Sequence, residues 1–156
     1  MSSSTSVVMS RGSQASSNVG SSLRERALVH PAVVFLGRLL FTVIFVLSGP
    51  RHFMSQTIAY AAAQGVPLAS IAVPLSGVLA LLGGLSVLFG YRAKIGAWLV
   101  VLFLIAVTTM HNFWAVKDPM MAQMQMAMFM KNLSMLGGAL LITQLGSGPW
   151  SLDSRS

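Results

Sequence analysis

Four apolar runs, each about twenty residues long and free of acidic side chains, divide this 156-residue chain. Runs of that length cross the roughly 30 Å hydrocarbon core of a bilayer as helices. A water-soluble globule is excluded by what remains. Ten Lys and Arg and three Asp and Glu residues cannot clothe a surface when 54% of the chain is hydrophobic. The expected fold is therefore all-α: an integral membrane four-helix bundle.

The spans are placed at residues 29–49, 68–89, 95–113 and 121–145, with a short interfacial helix over 53–65 between spans 1 and 2. Pro50 is expected to close the first span, and Pro74 to lie in the first turns of the second. Residues 1–27 are expected to form a disordered, Ser-rich cytoplasmic tail, residues 28–146 the membrane domain, and residues 147–156 a short C-terminal tail. Orientation follows from the basic residues outside the cores. Arg11, Arg24, Arg26, Arg92, Lys94 and Arg155 fall on one side, and Arg51 and Lys117 on the other. That bias puts both termini in the cytoplasm. The same scatter explains the net charge of +7 without nucleic acid, which is not expected as a partner.

Helices gain no hydrophobic drive from one another in lipid, so close packing must come from small residues. The candidates are Gly77, Gly83 and Gly84 in span 2, Ala93, Gly96 and Ala97 in span 3, and Gly137 and Gly138 in span 4. The chain has no cysteine, which excludes disulfides, iron–sulfur clusters, covalent c-type haem and thiol chemistry. No metal site is expected. The methionines between Met120 and Met130 carry soft thioethers, but alternate positions on a helix do not converge. His52 and His111 are poorly placed to be paired haem ligands.

The chemistry-bearing residues are few. Arg38 lies roughly 13 Å into span 1, at 1.5 Å per residue, and Lys131 lies near the middle of span 4. No span carries an acidic residue to pair with them. Each must snorkel, use neutral acceptors, meet water or hold an anionic ligand. Lys131 shares a polar, small-residue stripe with Gln123, Ala127, Ser134 and Gly138, which is expected to face the bundle interior, with Asn132 beside it. His111 and Asn112 end span 3, where a histidine suits a quinone carbonyl or a proton relay. Ser48, His52 and Gln56 would join His111 if spans 1 and 3 approach. The bland alternative for each is a structural hydrogen bond or a polar cap.

Several stretches together resemble the DoxX family of small four-span membrane proteins. They are Gly37-Arg38-Leu39-Leu40 with Ser48-Gly49, YAAAQGVP at 60–67, GYRAKIG at 90–96, HNFW at 111–114, FMKNLSMLGG at 129–138 and the closing Ser151-Leu152-Asp153. The resemblance spans 29–153. It implies a bacterial cytoplasmic (inner) membrane protein and a subunit of a quinone-linked oxidoreductase system, related to quinol or thiosulfate oxidation. It also implies, through more distant relatives, a membrane chaperone or cargo receptor. Carried onto the matching motifs, the ligand, quinone or proton-relay candidates are Arg38, His111, Asn112, Lys131 and Asn132.

Two readings of function follow. In the first the chain is a redox subunit. It holds quinone with no covalently bound cofactor, and works with a partner subunit or as a homo-oligomer. In the second it is a non-catalytic scaffold or chaperone for partner proteins. A small permease ranks behind both.

Overall fold

The structure, a computed structural model, describes residues 30–154. The Ser-rich segment 1–27, with Arg11, Arg24 and Arg26, and Arg155 at the other end lie outside the described residues. The described residues form helices and connecting turns with no strand. Helix α1 is Pro31–Ser48, continued by a 3₁₀ turn at Gly49–Phe53. Then follow α2, Ser55–Ala63; α3, Ala69–Phe89; α4, Ala93–Thr108, with a 3₁₀ turn at Phe113–Ala115; and α5, Pro119–Leu145. Four of these stretches are long and apolar enough to span a bilayer, so the chain is an all-α membrane helix bundle.

Local chemistry sets the boundaries. Pro31 opens α1, where its missing N–H costs nothing. Pro50 does not end the first span but opens the 3₁₀ turn, again at a position with no donor to lose. The third span, Ala93–Ala115, covers the expected stretch, but its α-helix stops at Thr108 and HNFW lies in the turn beyond it. The side chain of Asp118 caps α5, accepting from the Met121 N–H at 2.8 Å. Gly90 ends α3 with φ +66°, a left-handed cap that suits glycine.

Small residues do bring helices together. A Cβ added to Gly83 of α3 would stand 2.8 Å from the Gly96 carbonyl oxygen of α4. Gly77 is covered by His52 and the Gly49 carbonyl, and Gly84 by Phe45. Ala93 and Ala97 are fully buried. The core then fills with Phe45, Ala80, Val100, Phe103, Leu104 and Ala139. Helix α2 is pinned by Ala61 against Ala69 and Val73 at the start of α3. Gly137 departs from the expected pattern. It is exposed, with open space around its Cα.

Gly83→Val is therefore expected to destabilise the purified protein by about 1–3 kcal/mol, the usual cost of overpacking. Gly137→Ala is expected to leave stability unchanged or slightly raised. Thermal unfolding of both variants in one detergent checks the pair.

Candidate functional site

Arg38 sits on α1 with only 4% of its surface exposed. Its Nη2 donates to the Trp150 carbonyl at 2.6 Å and, more weakly, to the Pro149 carbonyl at 3.5 Å. Nε and Nη1 have no partner among the described residues. An arginine in the hydrocarbon region costs up to about 2.5–3.5 kcal/mol, the value at a helix centre. A hydrogen bond from a charged group contributes about 1.5–3 kcal/mol. The Trp150 contact is thus of the size needed to hold the guanidinium inside the protein rather than let it snorkel.

That contact exists because the C-terminal residues fold back. Gly146 and Gly148 take positive φ and reverse the chain after α5. Leu152 N–H then donates to Phe89 O, and Asp153 N–H to Gly90 O. The Asp153 carboxylate accepts from the backbone N–H groups of Arg92 and Ala93, at 2.7 and 3.0 Å, and so caps α4 across the α3–α4 turn. These bonds, the Ala93 N–H foremost, hold the Asp153 carboxyl below its ordinary range, and Ser147 and the charge of Arg38 add to the effect. Trp150 adopts φ +56°, a left-handed conformation costing about 1–2 kcal/mol. The Arg38 bond to its carbonyl and the Ser151 hydroxyl bond to Gly148 O hold it there. Residues 147–153 form a strap, and it supplies Arg38 with carbonyl acceptors.

Lys131 corrects the expectation of an inward stripe. It is exposed, as are Gln123, Ala127 and Ser134. Among the described residues its Nζ meets only the Met128 sulfur, at 3.4 Å. The reason is steric. Helix α5 turns Asn132, Ala139 and Thr143 inward, and Ala139 is fully buried in the core. A helix can pack closely on the side where side chains are small and compact, and Lys131 lies off that side. Asn132 is 97% buried, its relative exposure being 3%, and its Nδ2 has no partner among the described residues.

At the opposite end of the bundle from the strap, the His111 Nδ1–H donates to Gln125 Oε1 at 2.6 Å. Asn112 is half-buried, and its backbone carbonyl accepts from Ala115 N–H. Phe113 and Trp114 pack edge-on against Phe129 of α5, at 5.6 and 6.5 Å between ring centroids. The HNFW and FMKN motifs therefore meet through rings, not through their polar atoms. His52 does not join His111 by hydrogen bonding. Its Nδ1 lies 2.9 Å from Ser76 Oγ, whose single hydrogen goes to Val73 O, so His52 is the donor. Among the described residues no hydrogen bond joins any two of Arg38, His111, Asn112, Lys131 and Asn132. The residues that sequence reading passed over, Gln125, Ser76 and Asp153 as a cap, are partners from distant parts of the chain.

The fold and its buried arginine define an integral membrane protein of four spans. The SURF4 family model matches residues 66–156, more than half of the chain. Inner membrane protein YqjF of Escherichia coli (strain K12) is 32% identical over 123 residues, which cover 77% of this chain and 88% of that protein. Inner membrane protein YphA of the same organism is 25% identical over 128 residues, covering 80% and 91%. The chain belongs to the SURF4 family. No solved structure matches it. The family match corrects the DoxX resemblance. GYRAKIG, HNFW and FMKNLSMLGG all lie inside the matched segment. Short glycine, aromatic and polar motifs at span ends answer packing demands common to small membrane bundles, and so distinguish families poorly.

Asp153→Ala is expected to lower thermal stability at neutral pH by the scale of a lost helix cap, about 1 kcal/mol. Because folding depresses the carboxyl's pKa, the wild-type advantage is fully present above about pH 4 and is lost as pH falls through the lower folded value. Unfolding curves of both proteins should draw together as pH falls below about 4.

Proposed function

We propose that this protein is a non-catalytic membrane scaffold that binds partner membrane proteins along the outer face of α5. The observation that carries this reading is the exposure of Lys131 and its neighbours on a spanning helix. The best window of α5 has a mean hydropathy of 1.3, against 2.0 to 2.2 for the other three spans. Its outward residues Gln123, Ala127, Met130, Ser134, Gly137 and Leu141 recur at alternating spacings of four and three. That is the spacing of a seam between left-handed helix pairs. Lipid tails offer Lys131 no counter-charge, whereas a partner helix with an acidic residue at that depth would.

This reverses the order of the two readings drawn from the sequence. The quinone-linked reading rested on the DoxX resemblance and on convergence of the polar residues. Arg38 is taken up by the strap, His111 by Gln125, and Lys131 points outward, so no observation favours it. The two Escherichia coli relatives, by their names, are inner membrane proteins, which supports the same location here. The distribution of Lys and Arg supports cytoplasmic termini.

A photo-crosslinking residue at Ser134, in native membranes, is expected to give a discrete heterologous adduct. Lys131→Gln should reduce that adduct about tenfold, the effect of about 1.4 kcal/mol, and Lys131→Arg should keep it. An adduct of twice the chain mass would mean self-association instead, and adducts to lipid alone would remove the scaffold reading. Protease added to inverted membrane vesicles should remove the N-terminal segment; protection there would reverse the orientation.

A further inference from the structure

The strap and the α3–α4 turn border an open concavity of about 480 Å³ at the end of the bundle. Two cationic side chains, Arg92 and Lys94, line it together with Gly146, Ser147, Ser151 and Asp153. Both cations are exposed, and no ion pair to a carboxylate engages either of them among the described residues. Lys94 is laid across Gly146, its Cε 3.4 Å from where a Cβ there would stand, and Arg92 leans on the Tyr91 ring at 6.0 Å. The Asp153 carboxylate keeps its negative charge while accepting from the Arg92 and Ala93 N–H groups and from Ser147 Oγ, so two cations stand against one anion in the pocket lining.

A second, apolar groove of about 480 Å³ adjoins this pocket and shares Arg92 and Ile95 with it. It runs between α3 and α4 past Leu82, Leu85, Phe89 and Leu99. From Leu82 to Phe89 is two helical turns, about 11 Å. Tyr91 and Trp150 are exposed at the same end of the bundle, the kind of side chain that marks the headgroup level of a bilayer. A basic pocket at headgroup level, opening into an apolar groove that points down the span, matches one ligand chemistry. That chemistry is a phosphate ester carrying a hydrocarbon chain.

We propose that this end of the bundle is a binding site for an anionic glycerophospholipid. Arg92 and Lys94 hold the phosphate, and one acyl chain lies in the α3–α4 groove. The strap forms the wall of the site, so a bound lipid braces the same turn that supplies the acceptors of Arg38. The inference is independent of the scaffold reading, which concerns α5.

The test uses the purified full chain in detergent, with phosphatidylglycerol, phosphatidylcholine of the same chains, and inorganic phosphate as separate probes. Native mass spectrometry and thermal unfolding read the result. One phosphatidylglycerol is expected to be retained at least about tenfold more strongly than phosphatidylcholine, the scale of two cations acting at a membrane surface. The Arg92→Gln/Lys94→Gln double variant should lose that preference, and Arg92→Lys/Lys94→Arg should keep it. Leu82→Trp, which fills the groove from an exposed position, should weaken phosphatidylglycerol without impairing folding. Equal retention of the two lipids, or a preference that survives in the Gln double variant, would overturn the proposal. Stabilisation by inorganic phosphate equal to that by phosphatidylglycerol would also overturn it, in favour of a free-phosphate site.

Discussion

The buried guanidinium of Arg38 makes the first span depend on the last residues of the chain. A charge at that depth must be met by acceptors, and the spans contain no acidic residue to meet it. The carbonyl of Trp150 does so, and Asp153 adds a negative charge nearby. To deliver both, the chain after α5 reverses at Gly146 and Gly148 and crosses the α3–α4 turn. Together these bonds join α1, the α3–α4 turn and the C-terminal strap, segments that no short loop connects.

The remaining architecture is consistent with that constraint. Helices α3 and α4 approach through Gly83 and Gly96, which sets their turn close beneath the strap. Asp153 caps the α4 N-terminus at that turn, where the helix dipole favours a carboxylate. The pocket with Arg92 and Lys94 is a by-product of the same reversal, since the strap cannot pass over the turn without leaving a concavity beside it. At the other end, rings do the joining: Phe113 and Trp114 seat the α4–α5 connection on Phe129.

The five polar residues singled out from the sequence divide between these two regions and the lipid-facing side. Arg38 and His111 have well-defined partners, Asn112 is half-buried in the turn beside His111, Asn132 is enclosed, and Lys131 faces outward. A stripe that is polar and small reads as an interior seam when the chain is considered alone. In this bundle the interior side of α5 is instead the one bearing Ala139, because that side lets α4 come closest. An outward polar seam then suits contact with another membrane protein better than contact with lipid.

The sequence by itself determined the membrane setting, the four spans, the short helix after the first and most of the small-residue contacts. Hydropathy and helix-breaking residues act locally, within a window of about twenty residues, so they are visible without a fold. Only the tertiary structure decided that Pro50 continues the first span as a 3₁₀ turn, that HNFW lies beyond α4, that Lys131 faces outward and that Asp153 caps a helix sixty residues away. These depend on which helix face reaches its neighbour first and on where a distant segment can bring an acceptor. Neither follows from the order of residues along one helix.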